Sequence, residues 1–183
     1  MLRAEATDLP GLMLIRGDEF PDDRGFFIES FNQRQFTEAT GVNATFVQDN
    51  HSGSKRHVLR GLHYQVGRPQ GKLVRALRGE VFDVAADLRR GSPTYGRHWA
   101  TTLSAENRLQ LWIPQGFAHG FLALSDTAEI LYKVTDYYYP AGERCVRWDD
   151  ATLNIDWPID DTPLLSEKDA QGVNFTDAET FDN

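Results

Sequence analysis

Arg60-Gly61-Leu62-His63-Tyr64-Gln65, followed across Val66-Gly67-Arg68-Pro69 by Gln70-Gly71-Lys72-Leu73-Val74-Arg75, reads as a pair of neighbouring β-strands. Side chains alternate along a strand, so Arg60, Leu62 and Tyr64 are expected on one face and Gly61, His63 and Gln65 on the other. A purely structural core strand would not gather Arg60, His63 and Lys72 so closely, because each costs free energy when buried unless it is paired. An anionic ligand whose chemistry moves a proton accounts for all three.

Outward from this segment, β signals prevail. Leu12–Ile15, Phe26–Ser30, Thr45–Gln48, Lys72–Leu77, Glu80–Val84, His98–Leu103, Leu109–Ile113, Phe121–Leu124 and Glu129–Tyr138 are short runs rich in β-branched and aromatic residues. Turn formers punctuate them at Pro10-Gly11, Asp22-Asp23-Arg24-Gly25, Arg78-Gly79, Gly91-Ser92-Pro93 and Pro140-Ala141-Gly142. One helix is expected over Asn32–Thr40, with Asn32 as N-cap and Gly41 past its end. Many short, regularly spaced strands predict an all-β sandwich or closed barrel. The pattern loosens after Asp160, and Asp177–Asn183 reads as a frayed acidic end.

The chain of 183 residues, 40% of them apolar, suits one domain with a sizeable core. No apolar run follows Met1-Leu2-Arg3-Ala4-Glu5, so no secretory signal is visible, and no stretch approaches a membrane span. Cys145 stands alone, which excludes an internal disulfide and a multi-cysteine zinc site and suits a reducing cytoplasm. The net charge of −8 argues against a nucleic-acid binder. An anionic ligand would have to be met by a local cluster of cations, which can dominate at short range because salt screens the long-range field beyond about 8 Å.

A second cluster is Pro114-Gln115-Gly116-Phe117-Ala118-His119-Gly120. Its Pro-x-Gly-x-x-His spacing resembles the second motif of the cupin superfamily, whose fold is an antiparallel jelly-roll barrel. Metal-binding cupins carry His-x-His and a following Glu in their first motif. Here that place reads His63-Tyr64-Gln65, so the second His and the Glu are missing. With only His63 and His119 left as ligands, no metal is expected.

Within that fold the chain resembles the dTDP-4-dehydrorhamnose 3,5-epimerases from about Leu12 to Gly172. The motifs occur in order: Asp23–Ser30, Phe46–Ser52, Val58–Gln65, Gln70–Arg75, Gly79–Val84, Leu103–Asn107, Trp112–Gly120, Leu131-Tyr132-Lys133 and Leu165–Asp169. The resemblance implies a cupin-type jelly roll with a few short peripheral helices, formed by residues 1–183 as one epimerase domain. It implies N-terminal strands exchanged in a homodimer; past the end of the resemblance, the acidic composition predicts a C-terminal tail loose from about 173. The implied reaction inverts C3 and C5 of a thymidine-diphospho 4-keto-6-deoxyglucose without cofactor or metal. It belongs to a cytoplasmic route to dTDP-L-rhamnose for cell-surface polysaccharide.

Enolisation beside a ketone needs a base, an oxyanion stabiliser and an acid across the ring. His63 suits the base, since its ordinary pKa lies near neutral pH. The resemblance pairs it with Asp169, which on spacing alone reads as part of a capped turn, Ser166-Glu167-Lys168-Asp169. Lys72 suits the enolate oxygen, a task worth about 3–4 kcal/mol per donor. The resemblance selects Tyr132 as the acid, where spacing alone would allow a core aromatic. It offers Tyr138, and less directly Tyr137, as a platform for thymine. Arg24, Arg60 and Lys168 suit the diphosphate. Arg24 and Glu29 are implied to reach the partner's site, although Asp22-Asp23-Arg24-Gly25 alone reads as a charged hairpin turn. Gln48, Asn50, His119 and Glu143 complete the expected substrate contacts.

Three other readings compete with double epimerisation. A mono-epimerase or 3,4-ketoisomerase would share the fold, and Tyr132 favours double inversion over both. A non-catalytic nucleotide-sugar-binding barrel would need no acid and base pair. A metal-dependent cupin oxygenase would need the ligands missing at His63-Tyr64-Gln65.

Overall fold

A computed structural model of the chain describes residues 1–182. Its strands are β1 (Leu2–Ala6), β2 (Met13–Gly17), β3 (Glu19–Asp22), β4 (Gly25–Ile28), β5 (Gln48–Lys55), β6 (Leu59–Gln65) and β7 (Lys72–Arg78). They continue with β8 (Glu80–Asp87), β9 (His98–Ser104), β10 (Gln110–Ile113), β11 (Phe117–Ala123), β12 (Thr127–Val134) and β13 (Glu143–Cys145). Two short α-helices lie outside the strands, α1 (Gln33–Thr40) and α2 (Glu167–Ala170). A six-stranded sheet runs β1-β2-β10-β7-β12-β5, a five-stranded sheet runs β13-β6-β11-β8-β9, and β3-β4 forms a separate hairpin. The paired strands are antiparallel, and the two large sheets make the expected jelly roll.

The interior packs Leu9, Val74, Val81, Leu111, Phe121 and Ile130 between the sheets. A second apolar layer covers the outer face of the five-stranded sheet, where Leu62, Tyr64, Val84 and Leu122 meet Leu153, Trp157, Phe175 and Ala178. The C-terminal segment is therefore a cover and not a loose tail. Val173 bridges Val146, the Phe181 amide donates to the Leu88 carbonyl at 3.0 Å, and the Phe181 ring meets Tyr64 edge-on. The expectation of looseness from about 173 followed the acidic composition and overlooked Phe175, Ala178 and Phe181, whose burial holds the segment down. Asn183, the last residue of the expected frayed end, lies outside the described residues.

α1 begins and ends as its sequence predicts. The Asn32 side chain accepts from the Gln35 amide, and Gly41 closes the helix at a left-handed φ of 70°. Phe36 is fully buried beneath α1, packing edge-on against Phe46 and Trp112.

Two strand readings differ from expectation. The strand expected over Thr45–Gln48 is β5, Gln48–Lys55, a polar run. Gln48, Asn50 and Ser52 face a cavity between the sheets, and Asp49, His51 and Gly53 face solvent, so a strand lining a polar cavity needs no apolar face. The last expected strand stops at Val134 and leaves Tyr137, Tyr138 and Tyr139 in a loop at the cavity mouth.

Candidate active site

The cavity, about 320 Å³, lies between β6 and β11 on one side and β5, β7 and β12 on the other. Arg60 and His63 both line it, although strict alternation would send them to opposite faces. Between these residues the ladder shifts register: His63 stands opposite His119, but Arg60 stands opposite Phe121. Three steps on β6 thus match two on β11, a β-bulge that turns both side chains inward. Gly61 makes the bulge possible. Its φ is 116°, and a Cβ there would meet Gly120 Cα and the His119 carbonyl at 2.6 Å.

His63 Nε2 lies 2.5 Å from Asp169 Oδ1, leaving Nδ1 as the nitrogen with a free lone pair. Asp169 sits on α2, whose N-cap Ser166 accepts from the Asp169 amide. The capped turn expected from the sequence and the implied dyad are one structure, since α2 presents Asp169 inward with 4% exposure. The Ser166 hydroxyl donates to Asp169 Oδ2 at 2.7 Å and the Gly61 amide to Oδ1 at 3.3 Å. Burial pushes the Asp169 carboxyl up, but hydrogen bonds from His63 and Ser166 outweigh it and hold the pKa below its ordinary value.

Lys72 opens β7 and is buried, not solvated. Its Nζ donates to the His63 carbonyl at 3.1 Å. Burial pulls its pKa down to about 8, against the opposing pull of Asp83 and Glu143. Tyr132 enters from β12, where it pairs with Val74 and Asn50, and burial raises its pKa. The phenol is therefore held protonated. Base candidate and acid candidate thus stand on different sheets across one cavity.

Of the expected substrate contacts, Gln48, Asn50, Arg60, His119, Tyr138 and Glu143 line the cavity. Arg60 is aimed by Ser54 Oγ at 3.0 Å and the Gly53 carbonyl at 3.1 Å. The Tyr138 hydroxyl donates to Glu143 at 2.7 Å, and Lys168 pairs with the same carboxylate at the rim. Burial raises the Glu143 pKa, but these two donors outweigh it and lower it. Tyr137, the less direct platform candidate, does not line the cavity. Nor does the structure bring Arg24 or Glu29 to it. Arg24 is 89% exposed at the β3–β4 turn and bound to Asp22, and Glu29 accepts from Gln35 at 2.6 Å.

Sequence reasoning missed Asp83. It is fully buried, and both of its oxygens lie 3.0–3.1 Å from His119 Nε2. Within Glu80–Val84 it reads as an ordinary strand residue. Burial lowers the His119 pKa despite the attraction of Asp83, so His119 is neutral. Gln65 and Gln70 also line the wall.

Among the described residues, His63, Cys145 and Asp169 bring possible metal ligands within 4.8 Å of one another. This donor set fits a metal poorly, since Asp169 already accepts from His63, Ser166 and Gly61 and burial pushes the Cys145 thiol up to about 12.

The profile of the family described as dTDP-4-dehydrorhamnose 3,5-epimerase matches residues 6–177. The chain belongs to that family. It is accordingly an isomerase. The dTDP-4-dehydrorhamnose 3,5-epimerase of Pseudomonas aeruginosa is 60% identical over 98% of this chain and 99% of its own. Among solved structures, the Legionella pneumophila epimerase in complex with dTDP-4-keto-L-rhamnose superposes with a TM-score of 0.95 at 47% identity, covering 98% of this chain and 95% of that one. ChmJ, a 3'-monoepimerase from Streptomyces bikiniensis in complex with dTDP-quinovose, is more distant at TM-score 0.86 and 34% identity, over 93% and 86% of the two chains. Among the described residues no helix is long and apolar enough to cross a membrane.

Proposed function

We propose that this chain inverts C3 and C5 of dTDP-4-dehydro-6-deoxy-D-glucose to give dTDP-4-dehydro-L-rhamnose. The observation that carries this reading is the His63–Asp169 pair facing Tyr132 and Lys72 across one cavity. His63 Nδ1 takes the proton from carbon beside the ketone, and the C–H electron pair moves through the new C=C bond onto the C4 oxygen. Asp169 steadies the imidazolium that forms. The Lys72 ammonium stabilises the enolate oxygen in a water-poor site. As the carbonyl reforms, Tyr132 delivers its proton to the opposite face of the carbon. Exchange with solvent returns the proton to Tyr132 and removes the one on His63, and a second round inverts the other centre.

Arg60 and Lys168 meet the diphosphate, and Tyr138 carries the thymine ring. Gln48, Asn50, His119 and Glu143 hold the remaining polar groups. A third cation for the diphosphate, Arg24, comes with Glu29 from a partner subunit. Two features support that exchange. The β3–β4 hairpin exposes Phe20, Phe26 and Phe27, a patch too apolar for a free surface. β5 is an edge strand beside the cavity mouth, ready to pair with a strand from outside. Residues 1–183 act as one domain in a cytoplasmic homodimer. Removal of the hairpin is expected to yield monomers by light scattering.

Incubation with the 4-keto sugar nucleotide in D2O, read by NMR, should place deuterium at both C3 and C5. Deuterium at one carbon alone would assign the chain as a mono-epimerase like ChmJ, and none at either would make it a binding barrel.

A further inference from the structure

Gln65 follows His63 by two positions on β6, lines the cavity and is 5% exposed. Its side-chain amide is occupied on both ends. Nε2 donates to the Arg68 carbonyl at 2.5 Å and to the Tyr137 carbonyl at 3.1 Å, while Oε1 accepts from the Tyr139 amide at 2.8 Å. Tyr138 sits between the two tethered peptide groups. Its own amide donates to Gln48 Oε1 at 3.2 Å. The loop carrying the half-exposed Tyr138 ring is thus tied to the strand that carries His63.

We infer that Gln65 is a positioning residue that fixes Tyr138 relative to His63 and so governs nucleotide affinity while leaving the proton-transfer step alone. The chemistry of the group is restrictive. Two donors and one acceptor on a single uncharged planar group are what two carbonyls and one N–H require, and only an amide of this length supplies them. A carboxylate would keep the Tyr139 contact but face two carbonyls with no donor. Neighbouring contacts join the same two loops, since Gln70 Nε2 donates to the Asp136 carbonyl at 2.8 Å and Arg68 pairs with the Asp136 carboxylate at 2.8 Å. A loop ordered before the ligand arrives loses less entropy on binding, and the gain falls on affinity.

The inference rests on the proposed stacking of thymine on Tyr138, and its test includes a readout independent of that stacking. Gln65→Met and Gln65→Glu in the full chain are compared with wild type by dTDP calorimetry, steady-state kinetics and amide hydrogen exchange. Gln65→Met should weaken dTDP binding and raise KM by about tenfold, with kcat kept within about threefold. Exchange across Tyr137–Tyr139 should accelerate by about tenfold or more. Gln65→Glu should show the same defect near about pH 8 and recover in part near about pH 5.5, where an acid kept protonated by burial can again donate to one of the two carbonyls. Gln65→Met should not recover, and this contrast separates a donor role from loss of packing.

Wild-type dTDP affinity in Gln65→Met would overturn the inference. So would a fall in kcat at unchanged affinity, or unchanged exchange at Tyr137–Tyr139. If wild type itself fails to bind dTDP, the proposed function fails, and the exchange measurement still decides the clamp. If Gln65→Met does not fold, the pH rescue of Gln65→Glu decides alone.

Discussion

His63 and His119 stand opposite each other on adjacent strands, and each is bound to one aspartate. Their surroundings then diverge. The His63 side chain is 31% exposed to the cavity, touches Asp169 through one nitrogen and keeps the other free. His119 is buried against both oxygens of an aspartate with no exposure of its own. A base must meet its substrate, gain a proton and shed it to solvent, so access and a free nitrogen separate the two roles more than the aspartate does. On this contrast the proposed proton transfer belongs to the His63 pair, while the His119 pair builds the wall from which His119 is proposed to meet the substrate.

The strongest blow short of removing His63 should come from Asp169→Asn. The Nε2–H partner becomes neutral and the tautomer is no longer enforced, so kcat should drop by about 10³–10⁴-fold. Calorimetry should show dTDP affinity little changed. Equal losses of both would place Asp169 in binding instead.

Lys72→Met should lower kcat by about 10²–10³-fold, the usual result of removing an oxyanion donor. The wild-type profile should carry its mark. With a pKa of about 8, Lys72 is a cation below that pH and neutral above it, so kcat/KM should decline through an alkaline limb near 8. A profile flat to pH 10 would remove Lys72 from the enolate role.

Asp83→Ala should act on stability first. Without Asp83 the neutral His119 is left with a buried N–H and no acceptor, which costs about 1–3 kcal/mol, read by denaturant unfolding, while activity of the folded fraction falls by about tenfold or less. A loss matching Asp169→Asn would erase the distinction between the pairs.

The smallest effect is on acid stability. The His119 pKa is lower folded than its ordinary 6.5, so below that pH the unfolded chain binds the extra proton and native stability falls as pH falls. Unfolding midpoints should decline from pH 7 to 5, and His119→Asn should flatten that decline.

How far the sequence carried this picture varied with the distance over which each feature is determined. The barrel, α1 with its Asn32 and Gly41 caps, and the candidate group Arg60, His63, Lys72 were legible because local periodicity, turn residues and unusual charges set them. The facing of Arg60 was misread because a bulge depends on Gly61 meeting Gly120 on another strand. β5 was displaced because its inward face lines a polar cavity, which hydrophobic alternation cannot reveal. The joining of His63 to Asp169 spans 106 residues, and nothing local to either residue encodes it. Asp83 and Gln65 were passed over for the same reason, since the partners that give them meaning lie on other segments.

The most direct test of the assignment sets His63→Ala beside His119→Ala in D2O with the 4-keto sugar nucleotide, after calorimetry has shown dTDP binding by both. His63→Ala should incorporate no deuterium at C3 or C5 during a reaction time that labels both carbons in wild type. His119→Ala should label both, more slowly. Labelling that persists without His63, or that disappears only without His119, would contradict the account.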